Sequence, residues 1–219
     1  RSRDMMAKLS QDDFTNESFK FGAAKSIKVG EIDVWAQRLS YVGELGYELY
    51  VKNNHAKKLY SLIILEGKNF QMSHCGMHAM DTMRMESGFL HWGHDISPEE
   101  NQYESGLKFA VSYKKNTNFI GKQSLLKIAD RKIDKKLIML TLMNSKPGEP
   151  LMLHDEPIYK DDKIIGRTTS CNYSFNFKKN LAFGYVNYNS LKEELAKEKL
   201  YIEVEKKKYP AEIILKPLN

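Results

Sequence analysis

The stretch RLSYVGELGYELY, residues 38–50, places three tyrosines, two glutamates and two glycines in thirteen positions. A plain half-buried strand alternates apolar and polar side chains and has no need of so many polar aromatics. Upstream, Ile32, Val34 and Ala36 alternate, and Leu39 and Tyr41 continue at a spacing of two until Gly43 and Gly46 interrupt. Residues 29–50 therefore read as a hairpin with a glycine-containing turn. Downstream, Asn53 or Asn54 is a helix cap, Ala56, Leu59, Tyr60, Ile63 and Ile64 recur at helical spacing, and Gly67 is a stop signal. A second helix is expected over about residues 76–86, with Met77, Met80 and Met83 as a core-facing stripe. Ser97-Pro98-Glu99-Glu100 combines a cap residue, a proline at the first helical position and a glutamate three residues after the cap, which predicts a short helix or turn.

The second half changes character. A lysine-rich helix over about residues 121–129 gives way to short strand patterns at 137–143, 156–160, 163–170, 181–186, 201–205 and 210–215, the spacing of a small β-barrel or sandwich. The charged segment 131–136 lacks long apolar groups. A boundary is expected there, dividing the chain into residues 1–130 and 131–219.

Composition narrows the function classes. A chain of 219 residues that is 42% hydrophobic and 28% charged has the balance of a soluble globular protein with a sizeable core. No apolar run approaches the roughly 20 residues needed to span a bilayer, and the first residues lack the layout of a signal peptide. The two cysteines, Cys75 and Cys171, form no CxxC pair and no disulfide framework, which fits a reducing compartment. A net charge of +6 invites a nucleic-acid reading, but the lysines are scattered and interleaved with acids, so a solvated basic surface is expected and no nucleic-acid or membrane partner. His74 and His78, with Cys75 between them, share the spacing of a metal-binding helix face but lack a convincing third ligand. His91 and His94 beside Asp95 suit pocket lining better than proton transfer, and Cys171 has no sequence-evident base to make it a nucleophile.

Six blocks in order, RLSYVGELGYELY, AMDTMRMESGFLHWGHDI, NFIGKQSLLK, EPIYKDDKIIGRTTSCNYSF, LAFGYV and YPAEIILKPL, resemble the folate-binding aminomethyltransferase (glycine cleavage T-protein) family. The wording SPEENQYESGLKFAV is most similar to the carboxy-terminal region of its dimethylglycine and sarcosine dehydrogenase branch. The resemblance implies an α+β fold: the carboxy-terminal portion of an aminomethyltransferase folate-binding domain, then a small carboxy-terminal β-barrel. It also implies that the chain opens mid-domain. The aspartate regarded as catalytic in the family would lie upstream, Asp4, Asp12 and Asp13 do not match its motif, and no catalytic residue is assigned. This chain alone is expected to be inactive.

In the complete enzyme the resemblance implies that tetrahydrofolate traps a one-carbon unit from a small methylated amine or aminomethyl donor and yields methylenetetrahydrofolate. FAD would belong to an upstream flavin domain, and a carrier protein is a further possible partner. A cytoplasmic location is expected, with the mitochondrial matrix as the alternative. Glu48 matches the glutamate that reads the pterin, and the chemistry is apt, because one carboxylate accepts two parallel bonds from the donor edge of that ring. Tyr41 would lie against the ring or bond its edge. Arg84 matches the arginine that holds the folate's glutamate tail, against the alternative of an ion pair with Asp81 or Glu86. Tyr173 matches a segment at the family's domain junction and would close the pocket. The rival readings are a non-catalytic folate-binding or regulatory module and a nucleic-acid-binding protein.

Overall fold

The structure is a computed structural model that describes residues 1–129, 131–191 and 199–218. By packing, the chain divides into two compact units that meet between Met83 and Arg84.

In the first unit, α1 (Ser2–Leu9) precedes an antiparallel sheet ordered β1-β2-β3, formed by β1 (Ala24–Val29), β2 (Ile32–Gln37) and β3 (Glu48–Tyr50), and α2 (Asn53–Gly67) follows. The period of two expected in β2 is present: Ile32, Val34 and Ala36 are buried, and Asp33 and Trp35 face the other way. These apolar side chains join Met6, Phe14, Phe19, Ile27, Val29 and Leu59 in one core. The hairpin differs from expectation. Its tight turn lies at Gly30, with Val29 paired to Ile32, so that β1 is an unexpected strand. The segment with Leu39 and Tyr41 is a loop rather than a strand, and the chain rejoins the sheet only at Glu48. Two interactions divert it. The backbone N–H of Arg38 bonds the Ala23 carbonyl at 2.9 Å, and Gly43 adopts a left-handed conformation, φ +76°, that would strain any residue with a Cβ. On α2 only one edge of the apolar stripe is covered: Leu59 is buried, whereas Tyr60 is 57% exposed.

In the second unit, β4 (Lys135–Leu142), β5 (Pro157–Lys160), β6 (Lys163–Ser174), β7 (Lys179–Asn187), β8 (Leu200–Val204) and β9 (Lys207–Ile214) close into a barrel in the order β4-β7-β6-β5-β8-β9. All six expected strands are there, and closure decides between barrel and sandwich. Closing the sheet pairs the edge groups that an open sheet leaves exposed. Inside lie Ile138, Leu140, Leu142, Ile158, Ala182 and Ile202. Outside, Met139, Leu181 and Phe183 pack on Met85. With both faces covered, β4 is buried continuously from Ile138 to Leu142, which is why KLIML reads as a run rather than an alternation.

Met85 belongs to α3 (Met77–Glu86), and its burial corrects the expected methionine stripe. Met77 is 71% exposed, and the buried residues of the last turn are Arg84, Met85 and Glu86. Polar anchors rather than thioethers set which face of the helix end turns inward. The segment that follows also rests on the barrel: the N–H of Leu137 bonds the Glu104 carbonyl at 2.8 Å, and Lys135 pairs with Glu100 at 2.7 Å. Packing therefore divides the chain ahead of the sequence boundary near residue 131; Asp130 itself lies outside the described residues. Ser97 and Glu100 form the expected cap around a turn, with the Ser97 hydroxyl donating to Glu100 Oε2 at 2.7 Å.

Two glycines permit the β6–β7 crossing. A Cβ on Gly166 would stand 2.0 Å from the Tyr185 carbonyl oxygen, and one on Gly184 would stand 2.7 Å from that of Arg167. Both obstacles are backbone and cannot rotate away. Gly166→Ala is expected to destabilise the barrel by about 3 kcal/mol or more, read as a lowered melting temperature, whereas Gly121→Ala meets no atom within 4 Å and is strained only by its own φ of +87°.

Candidate functional site

The motif at residues 38–50 distributes its aromatic residues by role. The Tyr47 ring is in the core, edge-on to Phe14 at 5.5 Å between centroids and tilted on Phe19 at 5.5 Å. Tyr41 sits partly buried in the loop. Tyr50 is 53% exposed on the outer face of the sheet, and its hydroxyl donates to Glu48 Oε2 at 2.7 Å. Glu48 is itself exposed on an edge strand. The hydrogen bond to the Glu48 carboxylate, and then its charge, raise the pKa of Tyr50 above the ordinary tyrosine range, because losing the proton would set two anions side by side. The resemblance assigns Tyr41 to the ligand ring and names no protein partner for Glu48. The structure places Tyr50 beside it, and the signal that would have found this is the i, i+2 spacing that puts both on one face of a strand.

In the second unit, Arg84 is 1% exposed and Asp95 is 1% exposed. The guanidinium donates through Nη1 to Asp95 Oδ2 at 2.6 Å and to the Phe89 carbonyl at 3.1 Å, and through Nη2 to Ser170 Oγ at 2.8 Å. It also lies over the Phe183 ring, 5.6 Å from its centroid. Asp95 is equally engaged, accepting the backbone N–H of His91 at 2.8 Å and the Thr169 hydroxyl at 2.6 Å. Thr169 and Ser170 are consecutive, and in a regular strand they would face opposite sides. Both reach this pair because β6 shifts register between Thr168 and Ser170. Two residues on from Arg84, Glu86 accepts Ser174 Oγ at 2.6 Å and Asn176 Nδ2 at 2.8 Å. A charged partner of Arg84 is thus a residue eleven positions away. An incoming ligand carboxylate would have to displace Asp95 from this pair.

Tyr173, the other candidate in this unit, is on β6 near the β6–β7 turn, partly buried, with its ring edge-on to Phe175 at 5.1 Å. Further along the barrel a cavity of about 1090 Å³ is lined by His94, Glu100, Lys135, Arg167, Thr169 and Tyr185 among others. The Lys135 ammonium lies 5.1 Å from the Tyr185 ring centroid, and burial, then the nearby carboxylates Glu100, Asp95 and Glu104, push the Tyr185 hydroxyl upward. His91 and His94 stack at 4.6 Å. No group of three or more His, Cys, Asp or Glu residues suited to a metal ion occurs among the described residues, and no described helix is long and apolar enough to cross a membrane.

Residues 1–115 match the family described as GCVT N-terminal domain, and residues 135–218 match the glycine cleavage T-protein C-terminal barrel domain. This chain belongs to the glycine cleavage T-protein family. It is 36% identical over 220 residues to human mitochondrial dimethylglycine dehydrogenase, a match that covers 100% of this chain and 24% of that protein. It is 32% identical over 215 residues to an aminomethyltransferase of Listeria welshimeri, covering 97% of this chain and 56% of that one. The fold is similar to that of glycine cleavage system aminomethyltransferase T from Bartonella henselae, with a TM-score of 0.81, 18% identity, and coverage of 99% of this chain and 56% of that chain. The chain therefore spans about a quarter of the length of the dehydrogenase and just over half that of the aminomethyltransferase. The family relation extends over both the sheet that carries Glu48 and the barrel that carries Tyr173.

Two expectations follow. Asp95→Asn removes a buried counter-charge of Arg84 and should cost about 3–5 kcal/mol in denaturant unfolding, whereas replacing both partners with apolar residues of similar size should recover most of that loss. Tyr50, followed by carbon-13 tyrosine resonances during a pH titration, should ionise above the ordinary tyrosine range, and Glu48→Gln should bring it down.

Proposed function

We propose that this chain is a tetrahydrofolate-binding module of a one-carbon-transferring enzyme, of the aminomethyltransferase and dimethylglycine dehydrogenase kind. The observation that carries the reading is Glu48, an exposed carboxylate on the strand that ends the family motif, which among the described residues accepts one side-chain hydrogen bond, from Tyr50. Such a group suits a reduced pterin, which presents an amino group and a ring N–H along one edge; a carboxylate takes both through parallel bonds. Tyr41, partly buried in the loop that leads to Glu48, is the candidate for the side of the ring. Tyr173 is proposed as a further contact, presenting an apolar face and a hydroxyl. For Arg84, gripping a glutamate tail requires Asp95 to give way, and the buried pair supports instead a positioning role in which Arg84 holds the end of α3 against β6.

The folate, when bound, supplies the ring nitrogen that takes up the one-carbon unit. The residues of this chain bind it and orient it, effects worth several kcal/mol where the geometry is right. No catalytic residue is assigned within the chain. The one-carbon donor is proposed to be a small methylated amine or an aminomethyl group on a carrier. FAD is assigned to a flavin domain outside this sequence, and the setting is proposed to be the cytoplasm or the mitochondrial matrix.

The test is calorimetric. The chain should bind tetrahydrofolate, and Glu48→Gln, which turns an NH₂ toward the pterin donors, should bind it roughly ten- to a hundredfold more weakly. Equal affinities would remove Glu48 from the site. A parallel assay of methylenetetrahydrofolate formation should show binding without turnover; appreciable turnover would require a catalytic residue within these 219 positions.

A further inference from the structure

Glu86, the last residue of α3, is buried and grips the end of β6. Its Oε1 accepts the Ser174 hydroxyl at 2.6 Å and its Oε2 accepts the Asn176 amide at 2.8 Å. Ser174 is fully buried, and its oxygen also accepts the backbone N–H of Phe177 at 3.0 Å, so one carboxylate secures the β6–β7 turn at three residues. Four residues before Ser174, Ser170 is held by Arg84, so the span that carries Tyr173 is pinned at both ends. The turn has no glycine between Ser174 and Lys179, yet Lys178 adopts a left-handed φ of +53°, which is costly for a residue with a Cβ. Its shape is therefore held from outside, by Glu86, rather than set by its own residues. At this end of the barrel Ser174 pairs with Lys179, and Tyr173 pairs with Asn180. Side chains alternate along a strand, so Ser174 faces the end of α3, while Tyr173 shares the opposite face with Cys171, which packs on the barrel's interior cluster. Asn180 is anchored independently, its backbone N–H on Ser145 Oγ at 2.9 Å and its amide on the Pro150 carbonyl at 3.3 Å. The strand beside Tyr173 is thus fixed without Glu86, and the end of the strand that carries Tyr173 is fixed by it.

We infer that Glu86 is a positioning residue for Tyr173, setting the direction of its ring through Ser174 and the turn. The inference rests on the reading of Tyr173 as a folate contact and adds the group that makes that contact rigid. An acceptor is needed at this place, because both groups that reach it are donors: the Ser174 oxygen already accepts from Phe177 and passes its own proton on, and Asn176 presents its NH₂. Without that acceptor the last residues of β6 keep only their ladder to β7. Tyr173 lies one residue from the clamp, and Phe175, edge-on to it at 5.1 Å, lies one residue beyond, so both rings move when the clamp opens. An aromatic side chain fixed before the ligand arrives costs less to order on binding than one that must be fixed by the ligand.

Calorimetric titration with 5-formyltetrahydrofolate in a double-mutant cycle separates positioning from plain stability. Tyr173→Leu should weaken binding roughly two- to tenfold, the range of a lost aromatic contact. Glu86→Met, which keeps the length and removes both acceptors, should weaken it to a similar degree in the wild-type chain and add nothing in the Tyr173→Leu background. Glu86→Gln should recover most of the affinity, since its oxygen still accepts Ser174 and the Asn176 amide can turn to accept its NH₂. Where Glu86→Met does not fold, Asn176→Ala takes its place in the cycle, because it opens only the arm of the clamp on the exposed Asn176. In chains labelled with 3-fluorotyrosine, the Tyr173 resonance, assigned by its loss in Tyr173→Phe, should shift or broaden in the clamp variant and return in Glu86→Gln. An effect of equal size with and without Tyr173 would overturn the inference. So would a Tyr173→Leu chain that binds as tightly as wild type while Glu48→Gln binds more weakly, a result that leaves the folate reading standing. Failure of every protein, wild type included, to bind 5-formyltetrahydrofolate would overturn the folate reading and this inference with it.

Discussion

A guanidinium and a carboxylate removed from water must satisfy one another almost completely, since the desolvation cost of each is several kcal/mol. Arg84 and Asp95 meet that demand at 1% exposure each, and much of the second unit's local geometry is what the demand requires. The Asp95 carboxylate accepts the backbone N–H of His91, which fixes the turn through residues 91–96. Its other oxygen takes the Thr169 hydroxyl while Ser170 takes Arg84 Nη2, so β6 must present two successive residues to one pair, and its register shift is how it does so. With Arg84 seated, Met85 is delivered onto Met139, Leu181 and Phe183, and Glu86 reaches Ser174 and Asn176 at the β6–β7 turn. A helix end that would otherwise contact the barrel through one methionine is held by two charged side chains on one strand and its turn.

Legibility in the sequence followed the range of the interactions involved. The barrel strands were readable because their signals are local: apolar alternation, punctuated by turns, and in β4 the unbroken run KLIML that comes from burial on both faces. The helix at residues 53–67 was readable for the same reason, although its apolar stripe overstated burial at Tyr60. The methionine stripe of α3 misled because periodicity reports which residues share a face, not which face is covered. That choice was made by Arg84 and Glu86 through partners ten or more positions away. No pattern within the helix could have named Asp95 in preference to Asp81 or Glu86. The family relation was legible as six ordered blocks, whereas the inner arrangement of the first block was not: Tyr41 was assigned to a strand that ends before it, because a backbone bond from Arg38 to Ala23 and the left-handed Gly43 override its alternation.

The acidic residues singled out in the sequence have different fates, and the difference bears on function. Asp95 and Glu86 are buried, with both carboxylate oxygens of each engaged by protein donors, and they contribute to the fold through what they hold. Among the described residues, Glu48 has a single tyrosine hydroxyl on one oxygen, and its side chain is exposed. A resemblance transfers both kinds of residue with equal weight, since a matched motif does not record whether a side chain is spent on its neighbours. The geometry weighs them differently. A ligand that approaches Glu48 adds bonds to a carboxylate that water now solvates, at the cost of displacing that water. A ligand that approaches Arg84 must first break a desolvated ion pair, and the protein then has to accommodate the released Asp95. The first exchange is between comparable hydrogen bonds, and the second begins several kcal/mol uphill. The exposed Glu48 and the buried Arg84 pair thus differ in what a ligand would have to displace, and the Arg84 pair is the support that shapes its own unit.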